Sequence, residues 1–358
     1  MSHSTCASYR ADPLRTLYLH VLAVLQAFAN EYPLTHLPTM ALTNLFTHIF
    51  NKLSLFPRLF QPTTDALFSN LPINYRWRLL LLQPINILCF LLTAPSFLFS
   101  TSYTVIYIPT RSGPKRCLVF QPARRKPDAS RPLHIDFHGG GFIGGFPEQG
   151  ARWCKLLAEK TGAVVVSGSY RLAPRHIYPS ANEDVDDIIT YLLAHAKDFG
   201  ADKEIVTLGG SSVGGTLTLS ASQLLPQGAV RAWLGFCAPV DLRLRPSDKK
   251  KPPGFPTHDP LAFLEPLWDA YAGTQREANR ADQRCHPCLA RRNDLPADVL
   301  FVCAGIDILL HEQLEFVKKL KREWEREDGS LEVVVVEKGF HGFVECELST
   351  KGFDSDGY

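Results

Sequence analysis

From residue 101 onward the chain alternates short apolar runs with longer amphipathic ones. Tyr103–Ile108 and Cys117–Phe120 alternate in the two-residue manner of strands, and Ser112-Gly113-Pro114 between them predicts a hairpin. Leu133–Phe137, Ala163–Ser167, Glu204–Leu208, Ala232–Ala238, Val299–Ala304 and Leu331–Val336 read as further strands. Between them the period lengthens to that of helices over 148–160, 182–197, 216–225 and 311–327. Repeated β/α alternation predicts a mostly parallel sheet with helices on both faces. Ligands in such a sheet bind beyond the carboxyl ends of the strands.

Two stretches break this rhythm. Residues 242–290 are rich in Pro, Arg and Lys, with one predicted helix over 261–271. An insertion after a strand end suits a cap over a site. Residues 1–100 also differ. Leu14–Ala29 is apolar and helical in pattern but lacks a small-residue cleavage site, which argues against a cleaved signal peptide. Residues 33–75 have no clear period. Leu79–Phe99 carries no charge and is long enough to cross a bilayer as a helix. The alternative is a pair of buried helices, broken at Pro84 and Pro95, packed over the site. Two regions follow: 1–100, cap helices or membrane anchor, and 101–358, a catalytic domain with a cap insertion at 242–290.

Composition narrows the picture. The 358 residues carry a net charge of +2 with no long basic block, which argues against nucleic acid as the main partner. Lys249-Lys250-Lys251 and Arg124-Arg125-Lys126 read as solvated loops, and His311 and Glu312 as surface residues opening a helix. The nine cysteines have no framework spacing, so most of them read as buried thiols. Cys285-His286-Pro287-Cys288 lacks a second ligand pair and makes a poor zinc site. No metal or cofactor is called for.

The chemistry centres on Gly209-Gly210-Ser211-Ser212-Val213-Gly214-Gly215, between a predicted strand and a predicted helix. Only Ser212 has glycine at both −2 and +2, the G-x-S-x-G spacing of a nucleophile turn. Such a turn exposes the hydroxyl and puts the Val213 N–H near a helix N-terminus, where an oxyanion is stabilised. His138-Gly139-Gly140-Gly141 follows another strand, and consecutive glycines leave backbone N–H groups free to turn toward a substrate oxygen. His138 reads as support for that loop. Asp307 and His341 each follow a further strand end. A serine hydroxyl needs a base, imidazole is suited to that role, and a carboxylate fixes the imidazole's tautomer.

Residues 130–345 resemble the hormone-sensitive-lipase-like, or arylacetamide-deacetylase-like, branch of the α/β-hydrolases. The resemblance rests on HGGGF at 138–142, YRLAP at 170–174, the stretch from His286-Pro287 to Asp307, and HGF at 341–343. It implies an α/β-hydrolase fold with a helical cap. It also implies ester hydrolysis through an acyl-enzyme by Ser212, Asp307 and His341, with oxyanion donors from Gly140, Gly141 and Val213 and loop support from His138 and Gly139. The implied partner is a small lipophilic ester with a short acyl group. The resemblance leaves the location open between the endoplasmic reticulum membrane, reached through 79–99, and the cytoplasm. An amidase or deacetylase would use the same three residues, and gibberellin receptors show that a branch member can bind without turnover. The chain departs from the branch at Ser211, which stands for Asp, at Val213 for Ala, and at Arg175, where Glu is frequent.

Overall fold

The computed structural model describes residues 51–97, 100, 102–122, 130–256, 262–324 and 329–345. The predicted Leu14–Ala29 helix and the Arg124-Arg125-Lys126 run lie outside these residues. All elements below belong to the unit Ser54–Tyr358.

β1 (Tyr103–Ile108) and β2 (Lys115–Phe120) form the antiparallel hairpin, and β2 runs antiparallel to β4 (Val164–Gly168). The other strands are β3 (Pro132–Phe137), β5 (Asp202–Ser211), β6 (Ala232–Phe236), β7 (Asp298–Ile306) and β8 (Leu331–Phe340). From β4 to β8 every pairing is parallel, in the order β1-β2-β4-β3-β5-β6-β7-β8. This is the predicted mixed but mostly parallel sheet.

The described α-helices are α1 (Phe56–Leu59), α2 (Gln61–Phe68), α3 (Ile73–Phe97), α4 (Ala151–Thr161), α5 (Ser180–Ala194), α6 (Val213–Ser222), α7 (Glu265–Asp269) and α8 (Leu310–Arg322). Successive strand residues point to opposite faces, so each strand feeds two apolar clusters. Val164 and Val166 join Ile188 of α5, Leu217 of α6 and Phe316 of α8, whereas Val165 joins Cys154 and Ala158 of α4 and Phe97 of α3. Helices therefore cover both faces. In α5, Val185, Ile188, Ile189 and Leu192 recur on one helical face and are fully buried.

Helix boundaries shift where local turns intervene. Pro147–Gly150 forms a 3-10 turn, so α4 starts at Ala151. Past His195, the last residues of the predicted 182–197 helix belong to a 3-10 turn, closed by Gly200 in the left-handed region. The predicted 261–271 helix reduces to α7 and a 3-10 turn.

The larger difference is α3. The apolar stretch is one helix of 25 residues that starts earlier than predicted and runs through Pro84. Pro84 is on the solvent face, where water can satisfy the carbonyl left without its donor. Nor is α3 a buried helix. Leu79 and Leu82 pack inward, while Leu80, Leu81, Leu88, Leu91 and Leu92 are exposed. By length and composition alone, Ile73–Ala94 is long and apolar enough to cross a membrane.

Candidate active site

The sharp turn between β5 and α6 is a steric necessity. A Cβ on Gly214 would lie 1.9 Å from the Phe137 carbonyl oxygen of β3. With no side chain there, α6 can start at Val213, three residues earlier than predicted. Ser212 then takes φ 50°, a conformation costly for a non-glycine residue. Its N–H donates to the Phe236 carbonyl at 2.7 Å, which helps hold the strain. The Val213 N–H falls in the first turn of α6, where no intrahelical acceptor is available.

The three candidate side chains leave the carboxyl ends of β5, β7 and β8 and meet. Ser212 Oγ lies 3.0 Å from His341 Nε2, and His341 Nδ1 donates to Asp307 Oδ2 at 2.8 Å. The buried Asp307 is fixed through its other oxygen, which accepts the Leu309 N–H at 3.0 Å. Burial alone would lower the imidazole pKa. The hydrogen bond and charge of Asp307, with Glu345 behind, raise it above its ordinary value.

The glycine loop stands opposite. Gly140 and Gly141 have φ of +112° and +60°, and a Cβ on Gly141 would lie 2.9 Å from the Trp268 ring of the cap. Gly140, Gly141 and Val213 line one cavity with Ser212 and His341. Gly139 passes beside Ser212, since a Cβ there would lie 3.3 Å from Ser212 Cβ. His138 is buried, stacks on Tyr170 at 4.5 Å, and bonds the Gly139 carbonyl through Nδ1 at 2.7 Å. Burial, and after it Arg58, lowers its pKa to about 3, so the ring stays neutral. The Tyr170 hydroxyl donates to the His138 carbonyl at 2.9 Å.

The cavity measures about 510 Å³, within the range of small-molecule sites. Its walls are largely apolar and come from α3 (Leu82, Ile85), the cap insertion (Leu264, Trp268) and Ile308. Polar clasps that the sequence did not announce tie α1, α2 and the 242–290 insertion to the rest of the fold. Arg58 donates to the Gly145 carbonyl at 3.0 Å and the Tyr170 carbonyl at 2.9 Å. Arg175 pairs with Asp65 of α2 at 3.1 Å, so its partner comes from the N-terminal region. Lys249 and Glu312, expected on the surface, are instead largely buried and paired with each other, and Glu312 also accepts the Val240 N–H at 3.0 Å. Lys249 and Glu312 were misread because their partners are distant along the chain.

Burial pushes the Cys285 and Cys288 thiols up to about 12, so both stay protonated. Donor atoms of Cys237, Asp307 and His341 lie within 4.8 Å of one another. Both ring nitrogens of His341 are already engaged, and burial raises the Cys237 thiol pKa, so this group is a poor ligand set.

A family model described as the alpha/beta hydrolase fold matches residues 134–345. The chain belongs to that family. It is 35% identical over 112 residues to Esterase LipI of Mycobacterium tuberculosis, covering 31% of this chain and 35% of that protein. It is 28% identical over 183 residues to human hormone-sensitive lipase, covering 49% of this chain and 16% of the lipase. These likenesses support the hormone-sensitive-lipase-like branch, although the chain spans only a minor part of both relatives. An esterase structure from the archaeon Pyrobaculum calidifontis shares the fold, with a TM-score of 0.62 at 23% identity, covering 77% of this chain and 90% of that one.

Proposed function

We propose that this α/β-hydrolase is a serine carboxylic-ester hydrolase acting on short-chain esters of small lipophilic molecules. The observation that carries the reading is the chain of contacts from Ser212 Oγ through His341 to Asp307 at the wall of a largely apolar cavity. Ser212 Oγ attacks the ester carbonyl carbon as His341 Nε2 takes the hydroxyl proton. The carbonyl oxygen, now an oxyanion, receives hydrogen bonds from the Gly140, Gly141 and Val213 N–H groups. The C–O bond breaks, and His341 returns the proton to the departing alcohol. Water then attacks the acyl carbon, giving a proton to His341, and the bond to Ser212 Oγ breaks as His341 returns that proton to Oγ, releasing the acid. Asp307 holds the Nδ1–H tautomer throughout and offsets the imidazolium charge. The names esterase and hormone-sensitive lipase among its relatives support the same chemistry.

On this reading α1–α3 and the 242–290 insertion together form the cap. α3 gives one face to the cavity, and its exposed leucines suit contact with a lipid surface. Hydrolysis of p-nitrophenyl esters of increasing chain length, compared with matched anilides, tests the substrate class. A fluorophosphonate should label the protein and fail to label Ser212→Ala. An unlabelled wild type would favour ligand binding without turnover, and preferred anilide cleavage would favour an amidase.

A further inference from the structure

Residues 342–345, directly after His341, stay at the site. Gly342 takes φ +80°, and two tight turns follow, with Phe343 N–H donating to the Phe340 carbonyl at 3.1 Å and Glu345 N–H to the Gly342 carbonyl at 3.2 Å. The fold-back carries Glu345 behind the nucleophile turn. There it lines a cavity of about 40 Å³ together with Ser211, Asp136 and Gly139, separate from the substrate cavity. Its Oε2 is buried without a hydrogen-bond partner among the described residues and would lie 3.5 Å from a Cβ on Gly342, while Ser211 lines the same small cavity. A buried acid so placed needs a reason, because burying it is costly.

We propose that Glu345 is a positioning residue of the site, a second acid that acts on His341 from behind the nucleophile turn and is oriented by Ser211. Asp307 serves the imidazole from one side, and Glu345 adds negative charge from the other when the imidazolium forms. The surrounding charges are few. Asp136 of β3, with Cys154 and Ser167 hydrogen-bonded to it, faces the same small cavity, as do His138 and Arg152. Asp307, Cys237 and Ser212 face the imidazole. Burial raises the Glu345 pKa, the Ser211 hydroxyl and the His341 charge oppose that rise, and Glu345 in turn raises His341. Protons on the two groups are therefore coupled. The inference deepens the esterase reading and rests on it.

The test is the pH profile of kcat/KM for p-nitrophenyl acetate, with active sites counted by fluorophosphonate. Glu345→Gln should move the acid limb down by on the order of half to one pH unit. It should also lower kcat by about 3–10-fold with KM little changed. Ser211→Ala, which keeps the acid but removes the hydroxyl that favours its ionised form, should move the limb the same way by less. Ser211→Asp alone should lose activity, because a further carboxylate then crowds Glu345 and Asp136. Combined with Glu345→Gln it should regain activity and the wild-type limb, since one acid again stands behind the turn. An unmoved limb in both Glu345→Gln and Ser211→Ala overturns the role, as does a double variant no better than the product of its single losses. If the wild type is not labelled at all, the esterase reading itself fails. If it labels normally and the limb stays fixed, only the role of Glu345 falls.

Discussion

The sheet edge and the cap are built on different principles. At the edge, Ser212, Asp307 and His341 leave parallel strands held in register by backbone pairing, with one irregularity between Ala304 and Ile306 just before Asp307. The cap hangs on a few side-chain clasps: Arg58 on the glycine loop, Asp65 to Arg175, Arg78 to the Phe263 carbonyl, and Lys249 to Glu312. On the proposed reading, the contrast teaches that reaction chemistry would rest on backbone register and selectivity on long side chains that can be exchanged. Substitutions at the edge should abolish turnover, and those in the cap should retune it.

The sharpest break of this contrast is Ser212→Ala, expected to cost roughly 10⁶-fold in kcat on p-nitrophenyl acetate. A residual rate close to wild type would move the chemistry elsewhere. Asp307→Asn should cost about 10⁴-fold, because the imidazole then settles in the wrong tautomer. The sign of the pH dependence also follows. His341 protonated cannot accept the serine proton, so kcat/KM should fall as pH drops through its pKa. Because the site raises that pKa above the ordinary value near ~6.5, the fall should begin above it, as a titration of initial rates would read.

In the cap, Arg58→Ala strands the Gly145 and Tyr170 carbonyls, a loss of about 1–3 kcal/mol in a thermal or urea melt. Its activity should drop with loosening of the glycine loop, well short of the triad losses. Trp268→Ala opens the wall over Gly141 and should shift the ester chain-length optimum upward, with roughly 3–10-fold changes in kcat/KM between acyl lengths. The smallest effect is expected from Leu88→Glu with Leu91→Glu on the exposed face of α3. Turnover of a soluble ester should change within about twofold, as surface substitutions do, while co-sedimentation with phosphatidylcholine vesicles should fall.

The same division explains what could be read from the chain. β/α alternation and glycine spacing mark strand ends because both are local signals, so the turn at Ser212 and the loop at 138–141 were visible, as were Asp307 and His341. The clasps carry no local signal. Arg58 meets Gly145 across 87 positions and Lys249 meets Glu312 across 63, which is why Lys249 and Glu312 read as surface charges. Glu345 was hidden for a related reason: only the fold-back after Gly342 turns a nearby residue into a neighbour of Ser211. Pro84 misled through its identity, since its cost depends on which side of the helix it occupies.

The proposed base, His341, follows the end of β8, the outermost strand of the sheet and the last described one along the chain. A ribosome therefore delivers the nucleophile turn and glycine loop well before the group that activates them. Any nascent or prematurely terminated chain ending before residue 341 lacks the imidazole, however well its earlier strands pair. On the proposed reading, a chain that stops short of β8 would hold the nucleophile without its base.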